Sequence, residues 1–135
     1  MKVAITAGGT GGHIFPALAI INKIKSHVKN SEFLYFGTTD RMEKDIIPER
    51  GIPYIAIPMK GLNRKQVWKN VTVLKIYLQA IKKAETELSK FKPDIVIGVG
   101  GYITAPVLVA AHRLGIKTLI HEQNSIPGKA NLFLS

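Results

Sequence analysis

The chain has 135 residues, 46% of them hydrophobic, with no cysteine and a formal net charge of +10. That length makes one globular domain with a core of its own, and the missing cysteines exclude disulfides and thiolate metal sites, in keeping with a reducing cytoplasm. No apolar run approaches the roughly 18–20 residues of a membrane span, and the N-terminus enters a strand without a signal-peptide pattern.

In chain order, apolar runs predict strands at Lys2–Ala7, Phe33–Phe36, Tyr54–Ile57, Ile95–Gly98 and Thr118–His121. Most are continuous, as in a parallel sheet covered on both faces. Helical patterns fill the gaps at Ile14–His27, Asp40–Glu49, Val67–Phe91 and Thr104–Leu114, with Asp40 as the N-cap of the second. Joined by right-handed crossovers, these elements predict an α/β fold, a doubly wound, Rossmann-like parallel sheet in the order 3-2-1-4-5. Ligands of such sheets bind beyond the carboxyl ends of the strands, beside the point where the order reverses. The turns after strands one, four and five are thereby singled out.

After strand one comes Gly8-Gly9-Thr10-Gly11-Gly12-His13-Ile14-Phe15-Pro16. Glycine lets another group approach the main chain closely, and the helix start adds unpaired N–H donors and a positive dipole end, which together suit a phosphate-like anion. The dinucleotide fingerprint fails, because Ile14 stands where its last glycine belongs and Phe36-Gly37-Thr38 closes the second strand without an acid. A P-loop fails too, since the glycines lead into His13-Ile14 rather than Lys-Ser/Thr. What remains is a glycine loop ending in one imidazole, within reach of a substrate hydroxyl and a diphosphate. After strand four comes Gly98-Val99-Gly100-Gly101-Tyr102, and after strand five the polar run His121-Glu122-Gln123-Asn124-Ser125-Ile126-Pro127-Gly128. Three such loops at neighbouring strand ends favour a functional cleft over plain tight turns.

The basic excess is concentrated. Lys60 to Lys92 holds nine of the 19 basic residues against Glu85 and Glu87, so an anionic partner is expected. No nucleic-acid motif or interleaved aromatic accompanies it, which ranks an anionic lipid surface above nucleic acid. On the long third helix, Val67, Val71, Leu74, Leu78, Ile81 and Leu88 share a face expected to pack on the sheet, with Tyr77, Ala84 and Phe91 beside it. Trp68 and Ile76 fall outside that stripe, among Lys65, Lys69, Lys75 and Lys83, as an apolar pair for touching a bilayer. The plain alternative is that Trp68 packs under the preceding loop.

The segments Gly8–Ala19, Gly37-Thr38-Thr39-Asp40-Arg41-Met42-Glu43, Lys92-Pro93-Asp94, Gly98–Tyr102 and His121–Asn124 together resemble the MurG family of bacterial peptidoglycan synthesis, glycosyltransferases of the GT-B fold. The resemblance implies transfer of N-acetylglucosamine from UDP-N-acetylglucosamine to the muramoyl C4 hydroxyl of lipid I, giving lipid II with inversion. It implies that residues 1–135 are the N-terminal, acceptor- and membrane-binding Rossmann-like half, inactive alone, with the donor-binding C-terminal domain outside this sequence. Carried over by motif, Gly8, Gly9, Gly100, Gly101 and Tyr102 take the acceptor diphosphate side, and Thr10, Gly11, Gly12 and Asn124 touch the donor. His13 is the favoured base, with Glu122 as the alternative base or as the group orienting the acceptor. Lys65, Trp68, Lys69, Lys75 and Ile76 form the membrane surface of a peripheral protein on the cytoplasmic face of the cell membrane. No metal or other cofactor is expected. Two other readings stay open: a non-catalytic diphosphate- and membrane-binding subunit that needs a separate donor-binding chain, and a GT-B transferase with another lipid acceptor.

Overall fold

The fold, taken from a computed structural model, is described for residues 1–8, 11–39, 43–58, 70–101 and 103–121, with the backbone alone at 11–13 and 70–73. Strands β1 (Lys2–Ala7), β2 (Glu32–Gly37), β3 (Tyr54–Ala56), β4 (Ile95–Gly100) and β5 (Lys117–Ile120) alternate with helices α1 (Gly11–His27), α2 (Glu43–Glu49), α3 (Asn70–Phe91) and α4 (Thr104–Arg113). The strands form one sheet in the order β3-β2-β1-β4-β5, every pairing parallel. This is the expected topology, with the order reversing between β1 and β4. The start of the third helix and the N-cap assigned to Asp40 lie outside the described residues.

Alternate residues of the central strands feed two separate cores, as a sheet covered on both faces requires. Val3, Ile5, Phe33, Tyr35, Ile97 and Val99 pack with Ile14, Ala17, Leu18 and Ile21 of α1 and Ile47 of α2. Ala4, Leu34, Phe36 and Val96 pack on the opposite side with Ala80, Ile81, Ala84 and Leu88 of α3 and Val107, Leu108, Ala110 and Ala111 of α4. Strand β5 departs from expectation: Lys117 and Leu119 are exposed while Thr118 and Ile120 are half-buried, so it is an edge strand covered on one side only among the described residues.

The face of α3 also departs from the expected stripe. Ile81 and Leu88 are buried as expected, with Ala84, Tyr77 and Phe91 beside them, but Leu74 and Leu78 are 58% and 52% exposed and Ala80 and Ile76 join the packed face. Length explains this. The 22 residues of α3 span about 33 Å at roughly 1.5 Å each, whereas a six-residue strand spans about 20 Å. The C-terminal end of α3 is flush with the amino edge of the sheet, where the Lys2 ammonium donates to the Phe91 carbonyl at 3.3 Å and the Lys2 amide to Asp94 at 2.8 Å. The first turns of α3 therefore reach past the carboxyl edge of the described strands.

Candidate active site

The carboxyl ends of β1 and β4 bring the two glycine turns into main-chain contact. The Gly8 amide faces the Gly100 carbonyl at 3.4 Å, and Gly101 lies so close to Gly8 that a side-chain carbon there would overlap the Gly8 carbonyl oxygen. The chain can approach this closely only because Gly100 and Gly101 take φ of 118° and 95°, a region that L side chains rarely enter. The β1–β4 register shifts at this point, from Thr6 opposite Gly98 to Ala7 opposite Gly100, leaving Val99 as an extra residue. Bulges of this kind re-aim the chain at sheet ends. The start of α4 braces the second turn: the Thr104 hydroxyl donates to the Gly100 carbonyl at 2.8 Å, and the Thr104 amide to that of Gly101 at 3.1 Å.

The first turn leads directly into α1, whose opening residues are Gly11, Gly12 and His13. The helix thus starts three residues earlier than the apolar pattern shows, because glycine carries no periodic signal. Its first N–H groups have no partner within the helix and stand at the positive end of its dipole. His13 is the third helical residue. Two residues on, Phe15 is 58% exposed, an aromatic for which the sequence suggested no role.

Beneath the turns lies a buried polar cluster that sequence reasoning missed. Glu43, the first residue of α2, is fully buried. Its Oε1 accepts from the Thr38 hydroxyl at 2.6 Å and from the Thr38 amide at 3.2 Å, while the Tyr54 hydroxyl donates to the Thr38 carbonyl. Tyr35 stacks on Tyr54 with ring centroids 5.8 Å apart. The signal available in the sequence was an acid opening a helix five residues after a threonine at a strand end, which reads equally well as a solvated helix start.

Burial, then the Glu43 carboxylate, then Tyr54 hold the Tyr35 phenol far above its ordinary range. Its hydroxyl has no hydrogen-bond partner among the described residues. Two results are expected. Tyr35→Phe should leave stability at neutral pH unchanged or raised, since no hydrogen bond is lost. The folded state also holds a proton that the unfolded chain releases near pH 10, so stability is fully present below that pH and falls above it, by up to about 1.4 kcal/mol per pH unit. Urea unfolding at pH 8 and 11 should show a smaller alkaline loss in Tyr35→Phe than in the parent; an equal loss would show that Tyr35 ionises freely in the folded protein.

Of the predicted site residues, Gly8, Gly100 and Gly101 are brought together, and Gly11, Gly12 and His13 open the adjoining helix. Gly9, Thr10, Tyr102, Glu122 and Asn124 lie outside the described residues, as do Lys65, Trp68 and Lys69. Lys75 is exposed, but Ile76, expected to project beside it, packs against the core. It lies at the margin of the α3 stripe that faces α4 and the sheet. Leu74 and Leu78 are exposed instead, and with Lys75, Gln79 and Lys82 they line a shallow depression of about 350 Å³ on α3. No group of three or more metal-ligating side chains occurs among the described residues, and none of their helices is long and apolar enough to cross a membrane.

A doubly wound sheet with two glycine turns meeting at its switch point hosts many activities, and comparison with known proteins defines the class. Residues 3–135 match the glycosyltransferase family 28 N-terminal domain, and the chain belongs to that family. It is 50% identical over all 135 residues to the UDP-N-acetylglucosamine–N-acetylmuramyl-(pentapeptide) pyrophosphoryl-undecaprenol N-acetylglucosamine transferase of Bacillus licheniformis, and 48% identical to that of Bacillus subtilis. The chain spans 37% of the length of each of these curated relatives. The crystal structure of Acinetobacter baumannii MurG superposes with a TM-score of 0.83 at 33% identity, over 98% of this chain and 38% of that one. The fold is accordingly that of the N-terminal part of a GT-B glycosyltransferase.

Proposed function

We propose that this domain is the acceptor-binding half of an inverting N-acetylglucosaminyltransferase that uses UDP-N-acetylglucosamine and a polyprenyl-pyrophosphoryl muramoyl acceptor, lipid I. The observation that carries this reading is the meeting of two glycine turns, through Gly8, Gly100 and Gly101, at the switch point of the sheet. Bare main chain there, beside the N-terminus of α1, suits a diphosphate. The names of the relatives supply the sugar and the acceptor.

In the proposed reaction the acceptor C4 oxygen attacks the anomeric carbon of the donor as the bond from that carbon to the UDP oxygen breaks. The C4 proton passes to a base, for which His13 is the first candidate and Glu122 the second, and UDP leaves with the electron pair. Gly9 and Tyr102 join the acceptor side in this reading, and Thr10, Gly11, Gly12 and Asn124 reach the donor. The acceptor's polyprenyl tail stays in the bilayer, so the domain has to sit on the cytoplasmic membrane surface. The exposed Leu74 and Leu78, with Lys75 and Lys82 around them, support that placement. Lys65, Trp68 and Lys69, which the sequence assigns to the same role, precede α3 in the chain.

Calorimetry tests the assignment. This chain should bind a soluble lipid I analogue that carries the diphosphate, and should bind UDP-N-acetylglucosamine far more weakly. Binding of neither ligand, or of the nucleotide sugar in preference, would overturn the acceptor-half reading.

A further inference from the structure

The buried acid at the start of α2 has no part in the proposed reaction, yet it touches the turn that does. Glu43 occupies space left open by two glycines: a side-chain carbon on Gly8 would stand 2.6 Å from its Oε1, and one on Gly37 would stand 2.9 Å from its Cγ. The same Oε1 is fixed from the other side by the amide and hydroxyl of Thr38, and the Thr38 carbonyl is in turn held by Tyr54. One carboxylate oxygen therefore links the carboxyl end of β2 to the first residue after β1. Packing alone would be served as well by leucine or methionine, because a buried charge carries a desolvation cost that only polar contacts offset.

We propose that Glu43 is a positioning residue for the glycine turn after β1, locating Gly8 and hence the main-chain donors that lead into α1. This rests on the diphosphate reading of that turn. Gln at this position keeps the shape but replaces one oxygen by an amide donor and removes the charge that Thr38 addresses. The turn then loses its fixed point while the two hydrophobic cores are untouched. Thr38 acts in the same chain of contacts, so removal of its hydroxyl should have a smaller effect of the same kind.

The test is a titration of this chain with inorganic pyrophosphate, followed by 15N amide NMR and run below the melting temperature of every variant. In the parent, the Gly8 and Gly101 amides should shift on addition of pyrophosphate. Glu43→Gln should displace both amides in the ligand-free spectrum and weaken pyrophosphate at least tenfold. Thr38→Val should do so to a lesser degree, and Thr38→Ser, which restores the hydroxyl, should match the parent. A Glu43→Gln protein with lowered melting temperature but unmoved glycine amides and parental pyrophosphate affinity would make the residue merely structural and overturn the proposal. Should that variant not fold, parental behaviour of Thr38→Val would overturn it equally. A parent that ignores pyrophosphate would remove the diphosphate reading instead, and the ligand-free amides would still decide whether Glu43 sets the turn.

Discussion

Gly101→Ala should destabilise the domain by about 3 kcal/mol, at the upper end of what single substitutions usually cost. Two penalties combine. The residue sits at φ 95°, where alanine is strained, and the new carbon would fall on the Gly8 carbonyl oxygen, with the Gly8 carbon 3.0 Å and nitrogen 3.1 Å away. The obstruction is backbone, so no side-chain rotation relieves it. Gly51→Ala provides the control, because φ there is 76° with nothing within 4 Å of the new carbon. It should cost only the conformational term, about 1 kcal/mol. The difference between the two variants in urea unfolding measures the contact between the turns, and equal losses would mean that the turns do not press on one another. The fraction of Gly101→Ala that folds should also bind pyrophosphate poorly, since relief of the clash moves Gly8.

Leu74→Ser combined with Leu78→Ser should weaken binding to anionic vesicles by about 10- to 150-fold. Both leucines are about half exposed, and burying the remaining surface of each in the interface contributes roughly 0.75–1.5 kcal/mol, half the value for a whole side chain. Their loss should cost little folding stability, since neither belongs to the core. Neutralising Lys75 and Lys82 removes about 1 kcal/mol each near a phosphatidylserine surface. The two contributions are separable by salt: the lysine share fades as ionic strength rises, and the leucine share does not. Vesicle co-sedimentation at low and high salt distinguishes them. Unchanged binding of the double serine variant would remove this patch from the membrane surface and leave Lys65, Trp68 and Lys69 to account for it.

The sheet was legible because its signal is coarse. Runs such as Val3-Ala4-Ile5 and Ile95-Val96-Ile97 can hardly be anything but buried parallel strands, and the alternation with helices then leaves few topologies. The glycine turns were legible as well, since bare main chain at a switch point has a physical reason to be there. The face of α3 was legible from Ile81 onward but not before it. A pattern reader weights Leu74 and Leu78, but the structure buries Ala80 and Ala84 against Ala110 and Ala111 of α4, a close helix contact made of residues with little apolar signal. The Arg113–Glu85 ion pair, 2.9 Å across the same two helices, depends on that approach and is invisible in either segment alone. Glu43 escaped notice for a related reason: burial of a charge depends on what surrounds it in three dimensions, here Gly8, Gly37 and Thr38.

Because Val99 is an unmatched residue between β1 and β4, spacing at this site is counted in residues as strictly as a reading frame. Loops at strand ends usually tolerate insertion and deletion. Here, deletion of Val99 would leave Gly100 opposite Ala7 in an even ladder, but it would remove the bulge that re-aims the chain into the second turn together with a fully buried core side chain. Every glycine of the site would survive, yet the second turn would leave the sheet at a different angle and lose its approach to the first. Sequence length between Ile97 and Thr104 is thus as much a part of the site as the glycines it contains.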